Sequence, residues 1–246
     1  MDGLSPCVLP DRGEVRVASA LLDRSAEDVL REETLLSPSE RGRADRFRFR
    51  RDRGRFIVAR AALRRLLGLH LGKSPVHVEI QAGRLGKPEL AGSSAASDLR
   101  FNLAHSDGLA LYAFARGREV GVDVEAIRAV PEARAVARHF FSPLEMSRLT
   151  DLSPVAFEEA FLNGWTRKEA FLKARGDGLL FPLHRFHVSM APGEPARLLG
   201  VEGEPAAARE WSIADVTAAP GFVAAVAAQG PIERLTRAAV PPLGSA

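Results

Sequence analysis

Two segments in the second half of the chain hold the residue types from which a phosphate-handling centre could be built. GVDVEAI at 121–127 alternates apolar and acidic residues as a half-buried strand does, which puts Asp123 and Glu125 on one face. WTRKEAFLKARGDGL at 165–179 reads as a helix. Within it Trp165, Glu169 and Lys173 recur at i,i+4 and share one side, and Gly176 and Gly178 close it. With the strand face set against that helix face, Asp123, Glu125 and Glu169 converge beside Lys173. Three hard oxygen donors suit Mg²⁺, which takes a few carboxylates and leaves its other positions to water and substrate phosphates. The lysine then stands where a phosphate needs neutralising, and phosphoryl-type transfer is the chemistry expected. Each piece also has a plainer reading: a solvated strand face, an i,i+4 ion pair beside a core tryptophan, and ordinary glycine caps.

The elements that must position these residues follow from pattern. A strand is expected over 14–22, a helix over 25–36 capped by Ser25, and a second over 38–48 capped by Ser37. Phe56, Ala59, Leu63, Leu66 and Leu67 mark a long helix over 53–70, and VHVEI at 76–80 alternates as a strand. Strands at 109–116 and 119–127 read as a hairpin turned at Gly117-Arg118. A helix opens at Pro131, another at Ser142-Pro143 with Ser142 and Glu145 as a capping box, and a long one covers 154–175. Strands near 184–189, 211–217 and 221–227 complete an α+β inventory that is similar in both halves, with no visible sequence repeat.

Composition sets bounds. At 246 residues with 46% hydrophobic and 26% charged residues, the chain suits a large core or two small domains. One cysteine, Cys7, precludes an internal disulfide and points to a cytoplasmic home. No secretory signal or membrane-length apolar run is evident. Net charge is only +3, but 41–55, RGRADRFRFRRDRGR, holds eight arginines against Asp45 and Asp52. That excess calls for an anionic partner or a solvated face.

Taken in order, GRLGKP at 83–88, FNLAHS at 101–106, GVDVE, FFSPLE at 140–145 and WTRKEAFLKARGDGL form a series. It resembles the signature motifs of the 4′-phosphopantetheinyl transferases, specifically the surfactin-type branch. The resemblance spans roughly residues 36–187 and includes SPSERGRADRFRF. One position departs: Ala104 stands where the family's F-N-x-S-H-S has its first serine, which implies one polar nucleotide contact fewer.

The resemblance implies a pseudo-dimer of two similar α/β halves with the active site in the cleft between them. The halves would be 1–108 on the coenzyme A side and 109–232 on the Mg²⁺ and catalytic side, with 233–246 a disordered tail. It implies transfer of the phosphopantetheine arm of coenzyme A to a serine of an apo acyl or peptidyl carrier protein of fatty acid, polyketide or non-ribosomal peptide synthesis, releasing 3′,5′-ADP. Asp123, Glu125 and Glu169 would hold Mg²⁺, Glu169 would also be general base, and Lys173 would assist the leaving phosphate. His105 would meet the 3′-phosphate of coenzyme A with Ser106 nearby, Lys87 would lie along the nucleotide, and Arg43, Arg55, Arg60 and Lys168 would add phosphate contacts. Leu144, Met146, Leu149 and Phe157 in 140–163 offer a docking surface for the carrier, or equally a buried helix pair. A monomer is expected, without nucleic acid or membrane. Two rival readings remain: a non-catalytic coenzyme A-binding protein, and a nucleic-acid module using the arginines with Phe47, Phe49 and Phe56.

Overall fold

The computed structural model describes residues 9–83 and 85–240. The chain opens with β1 (Glu14–Leu21). α1 (Ala26–Glu33) starts where Ser25 accepts from the Asp28 amide. α2 (Pro38–Ala44) starts at a reciprocal Ser37/Glu40 capping box and stops well before 48. α3 (Arg50–Leu71) runs 22 residues and ends at Gly72, whose φ of 63° lies in the left-handed region. The strand expected at 76–80 is split. Pro75 opens a 3-10 turn over Pro75–His77, and pairing begins only at β2 (Ile80–Ala82), hairpinned to β3 (Pro88–Leu90).

β4 (Leu99–Ser106) and β5 (Leu109–Arg116) form a tight hairpin around Asp107-Gly108, with Asp107 at φ 47°. β6 (Val120–Ala126) follows, then α4 (Ala133–Phe140), α5 (Pro143–Leu149) and α6 (Pro154–Arg175). α5 starts at the expected Ser142/Glu145 box, and Gly176 ends α6 at φ 75°. The remainder is β7 (Phe186–Val188), β8 (Leu198–Val201), α7 (Ala207–Glu210), β9 (Trp211–Asp215), β10 (Phe222–Gln229) and β11 (Arg234–Ala238).

The strands form two main sheets, ordered β11-β1-β5-β4 and β6-β10-β9. The hairpin expected between 109–116 and 119–127 is therefore not formed: β5 pairs with β1 and β4, and β6 pairs with β10. Alternation marks a strand and its wet face but not its neighbour. Gly117, at φ 66°, carries the chain across from one sheet to the other. A boundary after residue 108 would cut the β4–β5 hairpin; the change of sheet comes between Arg116 and Val120. The tail expected to be disordered from 233 is corrected too. Arg234–Ala238 pairs in parallel with β1, where Arg234 sits opposite Glu14 and Thr236 Oγ1 donates to Glu14 Oε1 at 2.5 Å. Residues 241–246 lie outside the described residues.

Without β11 the sheets repeat each other, β1-β5-β4 against β6-β10-β9, and each half places short helices and one 22-residue helix after its first strand. Ala18, Ala110, Tyr112 and Phe114 pack on Leu63 and Leu66 of α3. Val17, Leu111 and Ala113 meet Val122, Val124 and Val226 between the two sheets. Ala225 and Ala227 meet Phe171 and Ala174 of α6. The α+β fold is thus layered: α3, sheet, sheet, α6. Among the described residues no helix is long and apolar enough to cross a membrane.

The seat of α6 depends on Gly121. A Cβ there would drive into the Ala170 carbonyl oxygen and the Ala174 backbone. Neither can swing aside, so Gly121→Ala is expected to destabilise by about 2 kcal/mol or more. Urea denaturation checks this; an unchanged midpoint would mean that α6 does not lie on β6 as described.

Candidate active site

The close approach at Gly121 sets α6 over the face of β6 that carries Asp123 and Glu125. Lys173 Nζ donates to Asp123 Oδ1 at 2.6 Å. Asp123 is 4% exposed, and its second oxygen, Oδ2, is buried without a hydrogen-bond partner. Burial pushes this carboxyl up to about 7, against the pull of Lys173 and reinforced by the negative charges of Glu125 and Glu169. Half-buried Glu169 is raised as well, by burial and by Glu125, with Lys173 opposing. One turn earlier, Trp165 stacks on Phe161 with ring centres 6.1 Å apart and meets Phe140 edge-on at 5.6 Å. Of the expected cluster, Lys173 and Asp123 are in direct contact, while Glu125 and Glu169 act on Asp123 through their charge.

β4 supplies the facing wall. Its residues alternate, so Asn102, Ala104 and Ser106 look one way and His105 the other. Buried Asn102 accepts from the Val122 amide through Oδ1 at 3.0 Å. Ser106 Oγ donates to Glu125 Oε2 at 2.9 Å and accepts from the Ala126 amide at 3.1 Å. His105 is exposed, yet its pKa is lowered, first by desolvation and then by Lys173, Arg43 and Arg55, with Glu125 opposing. Those charges therefore act on one another across the seam between the halves. Arg55 forks onto Asp23 with bonds of 2.7 and 2.8 Å, and the Arg43 guanidinium lies 5.4 Å from the centre of the Phe56 ring.

Several expected contacts fall elsewhere. Lys168 is 1% exposed, donates to both oxygens of Glu145 at 2.8 and 2.7 Å, and also meets the Phe186 carbonyl. It is buried structure, not a phosphate ligand. Lys87 spends its three N–H bonds on Glu119, the Val120 carbonyl and the Ala174 carbonyl, so it clamps β6 to α6 instead of lying free along a nucleotide. Arg60 pairs with Glu40, which Arg64 shares, and so ties α3 to α2. Ser106 contacts the Glu125 side of the seam. Ala104 is buried in the intersheet core with Val122 and Val124, so the missing serine hydroxyl would have faced that core and not the His105 side. In the expected docking surface, Leu149 and Phe157 are core residues and Leu144 is exposed. Of the arginine cluster, Arg41, Arg53 and Arg55 are bound to Leu36, Glu33, Asp45 and Asp23.

Sequence reasoning missed Glu145 as the partner of Lys168, and Asn102 and Ser106 as the stitches of the seam. For Glu145 the capping box concealed a second role: Oε2 accepts from the Ser142 amide while Oε1 also takes the Val188 amide. For Asn102 and Ser106 the signal was their four-residue spacing along one strand face.

Among the described residues no group of three or more potential metal ligands is drawn together, and Lys173 bonds one oxygen of Asp123. The donor chemistry nevertheless fits a hard dication. An unpartnered buried carboxylate oxygen, on an Asp123 whose pKa is raised by burial and by the charges of Glu125 and Glu169, is what such an ion relieves.

Lys168→Met tests the reassignment of that lysine. It leaves the Glu145 carboxylate buried and unpaired, a cost of about 3–5 kcal/mol, with affinity for coenzyme A expected within about twofold of the parent in the folded protein. Denaturation and calorimetry check both halves; lost affinity at unchanged stability would restore Lys168 as a ligand.

Comparison with known proteins accords with this geometry. The profile of the 4′-phosphopantetheinyl transferase superfamily matches residues 119–227, and that of the 4′-phosphopantetheinyl transferase N-terminal region matches residues 23–116. The chain is 37% identical over 217 residues to the 4′-phosphopantetheinyl transferase HetI of Nostoc sp., covering 88% of each. It is 28% identical to the 4′-phosphopantetheinyl transferase Sfp of Bacillus subtilis over 72% of this chain and 77% of that protein. To the human L-aminoadipate-semialdehyde dehydrogenase-phosphopantetheinyl transferase it is 27% identical, over 76% of this chain and 63% of that protein. The chain belongs to the 4′-phosphopantetheinyl transferase family.

Proposed function

We propose that the cleft between the halves transfers phosphopantetheine with Mg²⁺ held by Asp123, Glu125 and Glu169, Glu169 as general base and Lys173 as the charge partner of the leaving group. The reaction class comes with the family: the protein is an enzyme that moves the phosphopantetheine arm of coenzyme A onto apo carrier proteins. The observation that carries the finer reading is the buried, unpartnered Oδ2 of Asp123 beside Lys173, Glu125 and Glu169.

When bound, the ion would supply charge neutralisation and Lewis-acid polarisation at the pyrophosphate. The residues divide the rest. A serine hydroxyl attacks poorly until a base takes its proton, and Glu169, raised by burial, is closer to neutrality than an ordinary glutamate. As the new bond from serine oxygen to the β-phosphorus forms and the bond to the bridging oxygen breaks, the Lys173 ammonium balances the charge gathering on 3′,5′-ADP. Arg43 and Arg55 supply the positive charge, and His105 beside them the imidazole, of the wall that would receive the nucleotide's remaining phosphate. Arg60, Lys87 and Lys168 take no part. The reading carries a monomeric protein, since both walls belong to one chain, working without nucleic acid or membrane in a reducing cytoplasm.

Glu169→Gln separates chemistry from binding. Transfer is expected to fall by about 10²–10⁴-fold with coenzyme A affinity little changed; equal loss of both would make Glu169 a binding or structural group only. A pH effect also follows. In the free protein, desolvation and the charges of Lys173, Arg43 and Arg55 lower the His105 pKa and favour its neutral form. A phosphate alongside favours imidazolium and raises that pKa, so coenzyme A affinity should strengthen as pH falls through the His105 titration. NMR titration with and without coenzyme A checks this; an unmoved His105 pKa would take it out of the phosphate site.

A further inference from the structure

We infer that Ser106 is a positioning residue, whose hydroxyl fixes the direction in which Glu125 presents its carboxylate to Asp123 and Glu169. β4 and β6 are edge strands of different sheets. Side chains close the gap between them: Asn102 takes the Val122 amide, and Ser106 takes the Ala126 amide and gives its proton to Glu125. The direction of that last bond is forced. A serine hydroxyl has one proton, and the Ala126 amide can only donate, so Oγ accepts there and its proton is directed to Glu125 Oε2.

Ser106 is itself held. It is the last residue of β4, paired with Leu109 across the two-residue Asp107-Gly108 turn, so its Cα has little play. Among the described residues its hydroxyl is the one hydrogen-bond partner of the Glu125 carboxylate, because Lys173 bonds Asp123 instead. Without that bond Glu125 regains its side-chain rotors, at a point where its charge already acts on Asp123, Glu169 and His105. A serine on the coenzyme A half thereby sets a carboxylate on the Mg²⁺ half. Partners that orient a metal-binding carboxylate typically change metal affinity by 10–100-fold when removed.

This inference rests on the Mg²⁺ assignment above, and the test keeps the two apart. Mg²⁺ is titrated calorimetrically into coenzyme A-saturated parent, Ser106→Ala and Ser106→Thr proteins, and coenzyme A is titrated separately in EDTA. Ser106→Ala should weaken Mg²⁺ binding by about tenfold or more, with Ser106→Thr within about threefold of the parent. Coenzyme A affinity in EDTA should be the same in all three, which a nucleotide contact or a general loosening of the fold would not give. Ser106→Val, shaped like threonine but lacking the hydroxyl, should follow alanine and serves if the alanine protein folds poorly. Parent-like Mg²⁺ affinity in the alanine and valine proteins, or equal weakening in the threonine protein, overturns the role of the hydroxyl. A parent protein that shows no Mg²⁺ binding at all overturns the assignment beneath it.

Discussion

The centre of this molecule is organised by a carboxylate that folding leaves incompletely paired. Asp123 is buried with one oxygen bonded to Lys173 and the other to nothing, beside two more acids. Left to itself such a group disfavours its charged form and destabilises the fold. On the proposed reading, a dication and a phosphate sharing the cluster would offset that cost. Structure and chemistry are therefore linked at one residue, and the surrounding elements are placed so that it is buried.

Three features accomplish this. Gly121 lets α6 lie against β6 so that Lys173 and Glu169 reach the strand. The Lys168–Glu145 pair fixes an adjacent face of α6 to α5 and β7 and so fixes the rotation of the helix that carries Glu169. Asn102 and Ser106 join β4 to β6 where no backbone ladder does. The resulting seam divides the labour by charge. Arg43, Arg55 and His105 come from the first half, while the three acids and Lys173 come from the second. The strand order is repeated in the two halves, so both walls of the seam are supplied by this one polypeptide.

Much of this was legible in the residues. The i,i+4 stripe of α6 and the alternation of β6 located Glu169, Lys173, Asp123 and Glu125, because helix and strand periodicity dictate which side chains share a face. Capping chemistry placed the starts of α1, α2 and α5 at Ser25, Ser37 and Ser142. Pairing was not legible. Periodicity does not reveal a strand's neighbour, so β5 and β6 resemble one hairpin in the sequence although the Asp-Gly step at 107–108 is the sharper turn signal. Nor does a basic side chain announce its partner. Lys87, Arg60 and Lys168 look like phosphate ligands in the sequence and prove to be clamps, because the acids and carbonyls they meet are distant in the chain. The strand at Arg234–Ala238 is not marked by its own residues because its partners are Glu14 and β1, more than two hundred residues earlier.

The central claim is that this cleft performs Mg²⁺-dependent transfer from coenzyme A to a carrier protein's serine. The most direct measurement is the intact mass of an apo acyl or peptidyl carrier protein after incubation with the protein, coenzyme A and Mg²⁺, alongside an EDTA control. The account predicts a gain of one phosphopantetheine that EDTA abolishes. No gain on several carriers of both kinds, from a protein that still binds coenzyme A, would contradict it.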